Sequence, residues 1–200
     1  MNLPNKLTLL RVAIVPFLVI VLLARNFTGI HFFWALLLFA VASITDHFDG
    51  ELARKNNQVT TFGKFLDPLA DKILVISVLV CFIELGLADT WCVILIIARE
   101  FMVTSIRLVA VDSGVVIAAN NWGKTKTVSQ IVAIVVILLF QFIQELVNLG
   151  ALPAFSIIGM GSESAFLWMG HLFIYIATFF TVFSGAVYIK ENIGVINTMK

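Results

Sequence analysis

The sequence predicts an all-α integral membrane protein, a bundle of six transmembrane helices. Three observations predict it. Apolar residues fill 60% of the 200 positions and charged residues only 12%, against about 45–50% and 25% in soluble globular chains. Six apolar stretches of roughly 20 residues, the length a helix needs to cross about 30 Å of hydrocarbon, follow one another along the chain. The basic side chains also gather on one side of those stretches. A soluble fold with 18 phenylalanines would carry more apolar surface than it could cover. A disulfide framework is excluded because the two cysteines, Cys81 and Cys92, each lie inside an apolar run.

The first stretch, Leu7–Ala24, is longer than a signal-peptide core and no A-x-A-like site follows it, so it is expected to stay attached. Pro4 ahead of it suits a helix start, and Asn5, Thr8 and Arg11 then share one helix face. The second stretch, His31–Phe48, ends among aspartates; the third, Phe65–Leu87, begins among them. The fourth, Trp91–Val111, contains Arg99, Glu100 and Arg107. The fifth, Val128–Leu149, follows the basic segment Gly123-Lys124-Thr125-Lys126-Thr127, and the sixth is Ala165–Ile189. What remains is loops, the longest running from Leu149 to Ser164, with no room for a separate soluble domain. Residues 1–200 read as a single membrane domain.

Six spans place both termini on one side, together with the loops after spans two and four. Lys6, Arg11, Arg54, Lys55, Lys64, Lys72, Arg107, Lys124, Lys126, Lys190 and Lys200 lie on or near that side, with Arg25 opposite and Arg99 inside span four. The excess marks that side as cytoplasmic, in a multi-pass protein of the cell membrane. A formal net charge of +1, with the aromatics inside apolar runs, argues against nucleic acid as a partner. Glu84, Asp89, Glu145 and Glu163 fall near the opposite side and read as solvated loop charges. His31 and His171 read as interfacial or packed histidines.

Asp46, Asp49, Asp67 and Asp71 close span two and open span three, where an ionised carboxylate is costly unless paired or liganded. Asp46 and Asp49 are three apart and Asp67 and Asp71 four apart, so each pair shares a helix face. An antiparallel hairpin of the two spans would bring the pairs together. Carboxylates about 4 Å apart repel by roughly 4 kcal/mol at an effective dielectric of 20, so such a cluster protonates, pairs with bases or binds cations. Oxygen ligands favour hard ions, and two Mg2+ or Mn2+ ions would form a clamp suited to displacement at phosphorus. Gly50, Ala53 and Gly63 leave little bulk beside the carboxylates. That fits close approach of a ligand to the backbone, or equally a tight helix crossing. Arg54 can bond a phosphate or anchor a lipid headgroup.

The stretch from Asp46 to Asp71 resembles the signature of the CDP-alcohol phosphatidyltransferase family, D-x2-D-G-x2-A-R-x8-G-x3-D-x3-D, at every specified position. The resemblance implies a six-span membrane enzyme, usually a homodimer, that transfers a phosphatidyl group from a CDP-linked lipid to an alcohol and releases CMP. By that resemblance Asp46, Asp49, Asp67 and Asp71 hold two metals, Asp71 also acts as base, and Gly50, Ala53, Arg54 and Gly63 line the CDP-lipid site.

The Pro4-Asn5-x2-Thr8-x2-Arg11 pattern is similar to one in the family branch that uses glycerol 3-phosphate, and adds Asn5, Thr8 and Arg11 to the CDP-lipid site. Arg99 and Glu100 are adjacent and so are expected to face apart. Arg99 and Arg107, eight apart, form a basic stripe that descends to a loop holding Lys124 and Lys126. Such a stripe suits a compact dianion that the acidic metal site cannot hold. The expected reaction joins CDP-diacylglycerol and glycerol 3-phosphate into phosphatidylglycerol phosphate, by direct attack and among membrane lipids. Inositol phosphate or serine as acceptor is the alternative inside the family. A divalent-cation carrier is the alternative outside enzymes.

Overall fold

The computed structural model describes residues 3–24, 29–55, 61–112, 121–157 and 159–198. Side chains are described for 9–24, 29–45, 70, 72–110, 121–156 and 159–194. Six helices carry the described chain: α1 (Leu3–Leu23), α2 (His31–Lys55), α3 (Thr61–Glu84), α4 (Thr90–Asp112), α5 (Asn121–Asn148) and α6 (Ser162–Thr198). Each expected span coincides with one helix, and α2, α5 and α6 run well past the apolar stretch that marked them. Apolarity reports where hydrocarbon would lie, whereas backbone hydrogen bonding continues the helix beyond it. Helices α5 and α6 are long and apolar enough to cross a membrane, over Asn121–Asn148 and Ser162–Gly194. Shorter apolar helical runs cover Leu9–Leu23 and His31–Thr45 among the described residues.

The helix ends have local causes. Gly86, at φ 71°, closes α3: its N–H donates to the Ile83 carbonyl and that of Leu87 reaches back to Phe82. Gly150, at φ 74°, closes α5 in the same way, with Gly150 donating to Val147 and Ala151 to Leu146. Both are left-handed caps that a residue with a Cβ adopts only with strain. The segment between α5 and α6 holds a short antiparallel bridge, β1 (Ser156–Ile157) against β2 (Met160–Gly161).

The core runs along the bundle through Leu18 and Leu22 of α1, Phe39 of α2, Val78 and Phe82 of α3, Ile96 of α4, Ile134 and Leu138 of α5 and Ile174 of α6, all fully buried. Large apolar side chains also cover the outside: Phe179 is 66% exposed and Trp91 77% exposed. An outer surface of that kind is suited to lipid rather than water.

Packing departs from the expected hairpin of spans two and three. Helix α1 packs on both α2 and α3, while α2 and α3 touch each other sparsely among the described residues. The first helix is therefore the wedge between the two aspartate-bearing helices. Its buried face, Val15, Leu18 and Leu22, joins the core at intervals of three and four residues, the spacing of one helix face.

The end of the bundle away from the aspartates is tied by polar contacts. Glu145 of α5 accepts the backbone N–H of Phe32 at 3.2 Å and pairs with His31 Nδ1 at 2.6 Å, which caps the start of α2. Tyr175 donates to Asp89 at 2.6 Å, with His171 Nδ1 3.4 Å from the same carboxylate. Ser162 donates to Gln144 at 2.8 Å. Glu145 and Asp89 are thus structural partners, a correction to their reading as solvated loop charges, and His31 is a packed histidine, as expected. A helix start leaves orphan N–H groups that a carboxylate from a neighbouring helix can satisfy, and sequence order does not show which helix arrives there.

Candidate functional site

The four aspartates divide between two helices as the motif requires, Asp46 and Asp49 on α2 and Asp67 and Asp71 on α3. Gly50, Ala53 and Arg54 follow on α2 and Gly63 opens α3. Their side chains, and those of Asn5 and Thr8 on α1, lie outside the described residues. Among the described residues no group of three or more His, Cys, Asp or Glu side chains is placed to hold a metal. The donor set itself is all carboxylate, the chemistry of a hard divalent ion. Arg11 is described: it is only 2% exposed, deep for a guanidinium on an apolar helix.

The cations expected to hold an acceptor phosphate are described in detail, apart from Lys124's surroundings beyond α5 and α6. Lys72 follows Asp71 on α3, and its Nζ donates to the backbone carbonyl of Glu100 at 2.9 Å. That carbonyl also accepts the Thr104 hydroxyl at 2.7 Å. The Glu100 carboxylate, on α4, pairs with Lys126 of α5 and lies 3.6 Å from Arg99 Nη1. Arg99 Nη2 donates to the Ser184 hydroxyl of α6 at 2.9 Å. Arg99, Glu100 and Lys126 are each 7–8% exposed. Four helices, α3 to α6, are therefore joined by one buried charged network.

Adjacency does not keep Arg99 and Glu100 apart, contrary to expectation. Both side chains are long enough to turn back toward a shared partner, and burial makes an unpaired charge too costly to leave. Arg107, two turns nearer the α4 C-terminus, is exposed, with its guanidinium 5.9 Å above the Tyr188 ring of α6. Arg99 and Arg107 so lie along one flank of α6, against Ser184 and Tyr188.

Lys124 and Lys126 are not in a loop. Both lie in the first turns of α5, where residues two apart point in nearly opposite directions. Lys126 turns inward to Glu100. Lys124 is exposed and faces a cleft of about 390 Å³ between α5 and α6, lined also by Val128, Val132, Phe173 and Ile176. The structure brings Arg99 and Lys126 together around Glu100, sets Arg107 two turns further along α4 against Tyr188, and leaves Lys124 outside the set.

Several participants were not singled out from sequence. Ser184 and Tyr188, with Thr181, recur at three- and four-residue steps on an otherwise apolar helix, a polar stripe that marks a buried polar face. Thr181 accepts from Gln130 Nε2 at 2.9 Å. Gly185 lies between them, and a Cβ there would come within 2.9 Å of Arg99 Cγ, so the guanidinium's stem depends on that glycine. The buried Arg99 Nε and Tyr188 hydroxyl have no hydrogen-bond partner among the described residues. Unfilled buried donors beside a cation cluster are the capacity an anionic ligand would use.

Comparison with known proteins gives a consistent picture. The family model described as CDP-alcohol phosphatidyltransferase matches residues 1–183. A Bacillus subtilis protein named CDP-diacylglycerol-glycerol-3-phosphate 3-phosphatidyltransferase is 42% identical, covering 96% of this chain and 95% of its own. A Rickettsia bellii protein of the same name is 36% identical over 94% of both chains. One from Salmonella choleraesuis, also so named, is 42% identical over 66% of this chain and 74% of its own.

Proposed function

The chain belongs to the CDP-alcohol phosphatidyltransferase family, and from that premise we propose that it transfers the phosphatidyl group of CDP-diacylglycerol to glycerol 3-phosphate. The products are phosphatidylglycerol phosphate and CMP. It is a membrane transferase of phospholipid biosynthesis. The observation that carries the acceptor is the 42% identity, over 96% of the chain, to a relative whose name states it. The buried Arg99 and Lys126 beside α3 support it, because a phosphate ester needs cations that a carboxylate cluster cannot supply.

The residues that would hold two Mg2+ or Mn2+ ions are Asp46, Asp49, Asp67 and Asp71. Divalent ions held there would supply positive charge to offset that of a diphosphate and its leaving group. Gly50, Ala53, Arg54 and Gly63, with Asn5, Thr8 and Arg11, are the CDP-lipid side of the site. Arg99, Lys126 and Arg107 hold the acceptor's phosphate and so orient its free hydroxyl. Asp71 takes the proton from that hydroxyl as its oxygen bonds to the lipid-side phosphorus. The bond from that phosphorus to CMP breaks in the same displacement. Amphiphilic CDP-diacylglycerol keeps its acyl chains in lipid while its diphosphate meets water, which suits a site at the bilayer boundary. The proposed topology is six spans with both termini and the site cytoplasmic, in the cell membrane, as a single domain over 1–200 and a homodimer. The basic residues gathered on that side of the spans support the orientation, and the family resemblance supports the pairing.

The test is an acceptor panel on the purified protein in detergent with CDP-diacylglycerol and magnesium. Glycerol 3-phosphate should drive CMP release, and EDTA should stop it. Turnover with serine or inositol phosphate but not glycerol 3-phosphate would overturn the acceptor. Metal-dependent ion flux in liposomes lacking CDP-lipid would point to a carrier instead.

A further inference from the structure

Glu100 has no part in the reaction just described, yet it is the anion on which the cationic half of the site is built. Its carboxylate meets Lys126 from α5 and Arg99 from its own helix, and its carbonyl accepts Lys72, the neighbour of Asp71. Two buried cations from different helices repel one another, and without a shared anion each would turn to another partner. We infer that Glu100 is a positioning residue: it holds the Lys126 ammonium and the Arg99 guanidinium as a fixed pair for the acceptor's phosphate, and registers that pair against α3.

The inference rests on the proposed glycerol 3-phosphate reaction and adds to it. Two cations facing one carboxylate leave one positive charge in the buried set, and the exposed Arg107, two turns along α4, supplies another. The Glu100 carboxylate therefore fixes geometry without cancelling the attraction for a phosphate dianion. The second anchor of the pair is Ser184, which accepts from Arg99 Nη2. Because Lys72 comes directly after Asp71, a shift of Glu100 would also move the acceptor cations relative to the proposed base.

The experiment uses the full chain with three substitutions: Glu100→Gln, which keeps shape but removes charge; Glu100→Asp, which keeps charge; and Ser184→Ala. CMP release is measured with each substrate varied against a saturating level of the other. A hydrogen bond to a charged group is worth enough that Glu100→Gln should raise the KM for glycerol 3-phosphate about tenfold or more, with the KM for CDP-diacylglycerol within about twofold of wild type. Glu100→Asp should recover most of that loss. Ser184→Ala should raise the acceptor KM by about two- to tenfold, again without touching the lipid KM. It serves as the deciding variant if Glu100→Gln fails to fold. An unchanged acceptor KM, or a parallel rise in both constants that Glu100→Asp does not relieve, would overturn the inference. Wild-type protein inactive with glycerol 3-phosphate but active with another acceptor would instead overturn the reaction on which it rests, and the inference with it.

Discussion

Substituting Gly185 by alanine puts one methyl group where the structure has no room for it. The added Cβ would stand 2.9 Å from Arg99 Cγ and 3.7 Å from Met102 Cε. The second distance is an ordinary contact, but the first requires the Arg99 stem to move, and Cγ lies too near the backbone to swing away freely. Relief means pushing the guanidinium off the Ser184 hydroxyl, off Glu100, or both. Overpacking of this kind costs about 1–3 kcal/mol of stability, and a cation displaced by about 1 Å can cost up to roughly a hundredfold in rate. Gly185→Ala should therefore lower the melting temperature and raise the KM for glycerol 3-phosphate several-fold. Gly170→Ala is the control on the same helix. Its Cβ would come within 3.3 Å of Ile137 Cγ1, a milder crowding far from the charged network. It should disturb stability without disturbing the acceptor KM. Steady-state CMP release and thermal melts in one detergent give both quantities. If Gly185→Ala left the acceptor KM unchanged, or Gly170→Ala raised it equally, the placement of Arg99 in the acceptor site would be refuted.

Three further outcomes follow from the same geometry. Lys124→Ala should leave the acceptor KM near wild type while Lys126→Ala raises it strongly, since only Lys126 faces Glu100; equal effects in the same kinetic assay would contradict the split. Glu145→Ala removes the cap of α2 and the partner of His31, and should cost about 1.5–3 kcal/mol, visible as a lower melting temperature with both KM values preserved; a shift in either would mean the two ends of the bundle are coupled. Asp71→Asn should abolish turnover yet retain CDP-diacylglycerol binding, measured by retention of radiolabelled lipid, and a matching loss of binding would reduce Asp71 to a ligand.

Helix number and order were legible because a 20-residue apolar run is a strong local signal, and the aspartate motif because its spacing is local too. Partnership between distant helices was not. Nothing in the run from Gly123 to Thr127 separates Lys124 from Lys126 until it is known that α5 has already begun and which of its faces meets α4. The pairing of Arg99 with Glu100 was misjudged by counting backbone directions, which ignores how far two long side chains reach when burial penalises leaving either charge alone. The role of α1 as a wedge was equally hidden. Its composition says apolar helix, and only packing says between which neighbours.

The Glu145 contact has a mechanical side. It pins the first turn of α2 to the last turns of α5 at the end of the bundle away from the aspartates, while Lys126 near the other end of α5 engages α4. A rod pinned at one end can move only about that pin and against the helices packed along it. From Phe32 to position 46 the α2 backbone rises about 21 Å at roughly 1.5 Å per residue, so a swing of about 5° about the pin carries that backbone some 2 Å sideways. What such a swing meets is α1, which packs along α2, rather than α3. Movement of the aspartate-bearing end of α2 is therefore coupled to α1, the helix that carries Arg11.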